Sequence, residues 1–78
     1  MVTVMVIHQA SGKPYEGERV SIGIDGGFFG AGGVTGDELS DKKGEAHFPD
    51  VDPCNGQIFV NGRTVYKGRI EGRTVVYI

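Results

Sequence analysis

The sequence predicts an all-β fold: a small antiparallel two-sheet sandwich of about 6–7 short strands, ending in a three-strand meander. Three observations carry this. Residues 19–25 alternate, with Val20, Ile22 and Ile24 on one side and Arg19, Ser21, Gly23 and Asp25 on the other, and period two is the mark of a half-buried strand. Glycine makes up 14 of the 78 residues, against an average of about 7%, which suits many tight turns and opposes long helices. Turn signals recur at intervals of about ten residues, the spacing of sandwiches and barrels.

The elements follow in order. Val2-Thr3-Val4-Met5-Val6-Ile7-His8 is rich in β-branched residues and reads as a strand. It is apolar on both faces, Val2, Val4 and Val6 against Met5 and Ile7, so both faces are expected to be covered. The second cover would come from a loop or a neighbouring chain. Ala10-Ser11-Gly12-Lys13-Pro14 is a turn cluster, and the alternating segment 19–25 follows. Residues 26–36 form a glycine-rich run containing Phe28 and Phe29. They are too rich in glycine for a helix and too apolar for a simple linker, so a long loop or hairpin is expected. Thr35 to Leu39 fits a short strand or a helical turn. Asp41-Lys42-Lys43-Gly44 fits a type I turn, with Asp first and Gly fourth. Glu45-Ala46-His47-Phe48 reads as a strand with Ala46 and Phe48 inward, ended by Pro49. Residues 50–56 read as a loop.

Gln57 to Asn61, Arg63 to Ile70 and Arg73 to Ile78 read as the three strands of the meander. Asn61-Gly62 is a strong type I′ hairpin signal, and Glu71-Gly72 suits a second tight turn. With two-residue loops, Ile58 faces Val65, Val65 faces Ile78 and Tyr66 faces Tyr77. The echo of Gly62-Arg63-Thr64-Val65-Tyr66 in Gly72-Arg73-Thr74-Val75-Val76-Tyr77 reads as one hairpin solution used twice.

Size and charge bound the function. The chain of 78 residues is read as a single domain, 1–78. A core of this size supplies only about 3–5 kcal/mol and is often supplemented by disulfides, metals or oligomerisation. Cys54 is the only cysteine, so no internal disulfide can form. A reducing, cytoplasmic setting is expected unless a leader peptide was removed, and no membrane span is visible. The net charge of −2 opposes general nucleic-acid binding. The charge is uneven: residues 1–56 hold four basic and nine acidic side chains, whereas 57–78 hold Arg63, Lys67, Arg69 and Arg73 against Glu71 alone. That basic segment reads as a solvated face or as a docking surface for an anionic partner.

Chemical motifs are missing. The glycine run lacks the spacing of nucleotide-binding loops, and Gly27-Phe28-Phe29-Gly30 lacks the flanks of an RNA clamp. His8, His47 and Cys54 match no zinc spacing. Asp37, Glu38, Asp41, Glu45, Asp50 and Asp52 match no calcium loop, and Ser11, Ser21 and Ser40 lie in no nucleophile elbow. No catalytic residue, metal ligand or cofactor is therefore assigned. The candidate binding residues are Phe28 and Phe29, as an exposed aromatic pair, with Arg63, Lys67, Arg69 and Arg73.

Gly12-Lys13-Pro14, with Gly17, Val20 and Ile22, fits the frame Gly-x-Pro-x-x-Gly-x-x-Val-x-Ile. Thr35 followed by Asp41-Lys42-Lys43-Gly44-Glu45-Ala46-His47-Phe48 fits Asp-x-x-Gly-x-Ala-x-Phe. Over roughly residues 2–50 the chain thus resembles prealbumin-like (transthyretin-type) sandwiches, which include carboxypeptidase regulatory-like and collagen-adhesin B-type domains. The resemblance implies a sandwich serving as an accessory, adhesive or assembly module. The first strand has no Lys, so the intramolecular cross-link of adhesin-type members is not implied. The chain ends Val76-Tyr77-Ile78 rather than Tyr-Arg-Gly-Ser, so the activity of transthyretin-related hydrolases is not implied either. The expected role is a non-catalytic protein-interaction or assembly module, with an unidentified protein partner or self-association. A carbohydrate-binding module is the first alternative, and a small hydrolase with His8 and His47 in one pocket is the second.

Overall fold

The computed structural model describes residues 1–25 and 33–78, and Phe28 and Phe29 lie outside them. Among the described residues there is no helix, and the strands form two facing sheets. The fold is therefore a small all-β two-sheet fold. Its strands are β1 (Val2–His8), β2 (Lys13–Pro14), β3 (Arg19–Ile24), β4 (Gly33–Val34), β5 (Glu38–Leu39), β6 (Glu45–Phe48), β7 (Cys54–Val60), β8 (Arg63–Ile70) and β9 (Gly72–Tyr77). No helix in the described residues is long and apolar enough to cross a membrane.

β1 is the centre of the first sheet. β6 and β2 lie in line along one side of it, both antiparallel, with Val4 opposite Ala46 and Ile7 opposite Pro14. β9 runs parallel to β1 along the other side, placing Met5 beside Val75 and Ile7 beside Tyr77. In the second sheet β3 is flanked by β5 and β4 on one side and by β7 on the other, and β8 lies outside β7. Val2, Val4, Val6, Ala46, Phe48 and Val76 of the first sheet meet Val20, Ile22, Ile58, Val60 and Ile70 of the second in one core. All of these are inward positions of the period-two pattern.

The meander is corrected. β7 and β8 form the expected hairpin, closed by Asn61 (φ 52) and Gly62 (φ 80), the left-handed pair that a type I′ turn requires. β9 does not continue it; the chain crosses at Glu71 and Gly72 (φ 56) to the other sheet. The physical reason is coverage of β1. With β9 beside it, β1 has neighbours on both sides, and Val2, Val4 and Val6 are all sealed from solvent. The expected pairings also change, because a bulge between Ile58 and Phe59 sets Ile58 opposite Tyr66 rather than Val65. Residues 54–56 are strand rather than loop. Gly56 belongs there because a Cβ would sit 2.1 Å from the Gly23 carbonyl oxygen on β3.

The Asp41–Gly44 turn forms as read. The Gly44 N–H donates to the Asp41 carbonyl at 2.8 Å, and Asp41 Oδ1 accepts from the Lys43 and Glu45 amides at 2.9 and 3.0 Å. Ser40, just before it, is buried. Its hydroxyl donates to the Tyr15 carbonyl at 2.5 Å and accepts from the Glu18 amide at 2.9 Å, tying the 15–18 loop to the far side of the chain.

Candidate interaction surface

Among the described residues the long-strand edges of the two sheets are β9 and β8, and the opposite edges are formed by the short strands β2 and β6 and by β4 and β5. The direction of the β9 backbone groups follows from its end. The Ile78 N–H donates to the Ile7 carbonyl at 3.0 Å, and the Ile78 carbonyl accepts from the Gln9 amide at 2.8 Å. Backbone direction alternates along a strand, so Thr74 and Val76 also face β1. Arg73, Val75 and Tyr77 then aim their N–H and C=O groups outward, away from β1. An edge of this kind is a template for another strand.

The side chains of the same three residues lie on the outer face of the sheet, because Val76 points into the core and is 2% exposed. Tyr77 is 59% exposed and Val75 38%. Beside them on β1 are Ile7 and Met5, both half-buried. A second exposed ring, Tyr15, lies off this face: His8, which stands edge-on to it at 5.3 Å between ring centres, falls in the same alternating set as Val2, Val4 and Val6. One end of this outer face is thus apolar and aromatic.

The other end is charged. Arg73 reaches across β1, with Nη2 2.8 Å from Met5 Sδ and Nε 3.4 Å from Glu45 Oε2. On β6, Glu45 and His47 are two residues apart and share this face, with Thr3 Oγ1 3.1 Å from His47 Nδ1. His47 Nε2 lies 3.6 Å from Asp41 Oδ2. The Asp41 carboxyl is held below its ordinary value, first by the Glu45 amide that donates to it. Desolvation opposes that shift, while the Lys43 amide and His47 add to it. The ligand atoms of Asp41, Glu45 and His47 lie within 4.8 Å of one another.

Between the open edges runs a groove of about 440 Å³, lined by Val60, Asn61, Arg63, Thr64, Val65, Tyr77 and Ile78. The sequence-predicted cations divide around it. Arg63 lines the groove, Lys67 stands opposite Gln57 on β8, and Arg69 pairs with Glu71 at 3.4 Å. Arg73 belongs to the other sheet. The expected basic hairpin is therefore not one patch, because the chain crosses between sheets inside it.

His8, His47 and Cys54 are not brought together. His8 bonds Ser11 Oγ at 3.0 Å, His47 is on β6, and Cys54 opens β7 in the second sheet. Burial pushes the Cys54 thiol up; Arg69 opposes this and Asp25 adds to it. The Asp41–Glu45–His47 grouping was missed from sequence. Its signal was present: turn position one, then two alternate residues of the strand the turn feeds.

Comparison with protein-family models, with curated proteins and with solved structures returns no match.

Proposed function

We propose that this chain is a non-catalytic assembly module of the prealbumin-like sandwich type, which joins a second copy of itself through the open edge of β9. One observation carries the reading: Arg73, Val75 and Tyr77 present unpaired backbone groups and exposed side chains on the same strand. Support for the sandwich type comes from the segments that carry the resemblance. Val20 and Ile22 point inward on β3, and Asp41–Phe48 forms a turn entering a strand with Ala46 and Phe48 buried.

The edge is self-complementary. Two β9 strands running antiparallel about Val75 place Val75 beside Val75 of the second copy and Arg73 beside its Tyr77. Every outward N–H and C=O of these residues then finds a partner, and no like charges meet. Valine and tyrosine side chains also pack well across strands. The half-buried outer face of β1, which carries Met5 and Ile7, then lies within a wider sheet.

Light scattering on a size-exclusion column, over a series of loading concentrations, tests this. The wild type is expected to pass from monomer to dimer, and Val75→Lys to weaken the dimer at least about tenfold, or 1.4 kcal/mol, without changing the far-ultraviolet circular dichroism spectrum. A wild type that stays monomeric up to roughly 1 mM, a binding energy of only about 4.1 kcal/mol, rejects the proposal.

A further inference from the structure

We infer that Asp41, Glu45 and His47 form a binding site for a divalent transition-metal ion of the zinc class, at the β6 edge of the first sheet. Three features of the geometry lead there. First, the donors converge from a rigid frame: Asp41 opens the turn, and Glu45 and His47 follow on alternate positions of β6. Second, the atoms left over point the same way. Asp41 Oδ1 is occupied by two backbone amides, which leaves Oδ2 to face His47 Nε2 at 3.6 Å. The Thr3 hydroxyl lies 3.1 Å from Nδ1 of the same imidazole; with Nδ1–H donating to it, Nε2 is the free lone pair and the ring orientation is fixed, as in metal-bound histidines. Third, the donors are near enough to converge. Ligand atoms about 2.0–2.2 Å from a zinc ion lie roughly 3–4 Å apart. Asp41 Oδ2 and His47 Nε2 are already 3.6 Å apart, and the three donors lie within 4.8 Å of one another, so a small side-chain adjustment brings them onto one ion.

The donor set selects the ion. One imidazole nitrogen with two carboxylates suits divalent transition metals such as zinc, copper or nickel. Calcium takes six to eight oxygen ligands, and this grouping offers only two carboxylates, its third donor being a nitrogen. Arg73, 3.4 Å from Glu45, competes with the ion for that carboxylate, so removing its charge should strengthen binding. Imidazole must be neutral to ligate, so binding should weaken in acid.

Isothermal titration of the full chain with zinc chloride, paired with amide chemical-shift mapping, tests the inference. One saturable event is expected, with shifts centred on residues 41–47. His47→Ala should reduce affinity at least about tenfold, Thr3→Val should reduce it by about 10-fold through loss of the support to the ring, and Arg73→Gln should raise it. His8→Ala should leave it unchanged. Circular dichroism of each variant verifies folding. Absence of saturable binding overturns the inference. So does a His47→Ala protein that binds as the wild type does, or a binding event that His8→Ala abolishes.

Discussion

Val75 and Val76 are adjacent, chemically identical and on opposite faces of β9, so replacing each by alanine isolates burial from strand propensity. Val76 is 2% exposed against the core, whereas Val75 keeps 38% of its surface in water. The change removes two methyl groups, each worth about 0.8 kcal/mol when buried. At position 76 that gives about 1.6 kcal/mol, and the cavity left behind raises it to roughly 2–3 kcal/mol. At position 75 the surface is partly solvated and no closed cavity forms, so the cost is under about 1 kcal/mol. A core of this size supplies about 3–5 kcal/mol, so Val76→Ala should remain folded but close to its limit. Urea denaturation followed by circular dichroism, at protein concentrations low enough to keep the chain monomeric, measures both. Equal losses, or a larger loss at Val75, would show that β9 does not present these faces and would refute the placement of the strand.

Three further predictions concern the turns. Ser40→Ala leaves the Glu18 amide and the Tyr15 carbonyl without their hydroxyl partner, and should cost about 1–3 kcal/mol in the same urea titration. Gly44→Ala meets a left-handed backbone (φ 77), with the Val6 carbonyl oxygen 2.7 Å from the new Cβ. It should lose at least about 1–2 kcal/mol, visible as a lower melting temperature. Asp41 has its folded-state pKa lowered below 3.8. The stability contributed by its ionised carboxylate is therefore complete above that unfolded value and disappears as pH falls through the lower, folded one. Thermal melts through that acid window should show a smaller loss of stability for Asp41→Asn than for the wild type.

Much of this fold is written locally. Val2–His8 and Arg19–Ile24 declare themselves by β-branching and alternation, and Asn61-Gly62 by the one turn type that needs two positive φ values. The partner of β9 is not written locally. Arg73–Tyr77 carries an alternation that fits either sheet, and its echo of Gly62–Tyr66 favours hairpin pairing. The choice is made by the need to cover β1, whose paired residues lie seventy positions away in the chain. The bulge at Ile58 is likewise invisible, because one extra residue opposite it leaves the apolar pattern of β7 intact. For the candidate surface, the apolar character of β1 and β9 was legible, but the separation of Arg73 from Arg63, Lys67 and Arg69 required the crossing. The convergence of Asp41 with Glu45 and His47 required the turn geometry.

Amide hydrogen exchange, followed residue by residue at two protein concentrations, bears most directly on the open edge of β9. The Thr74 and Val76 amides, directed at β1, should be protected at both concentrations. Those of Val75 and Tyr77 should exchange freely in dilute solution and become protected when the protein is concentrated. Protection of Val75 and Tyr77 at every dilution would mean the edge is already paired within the chain, and free exchange at every concentration would mean that no second strand joins it.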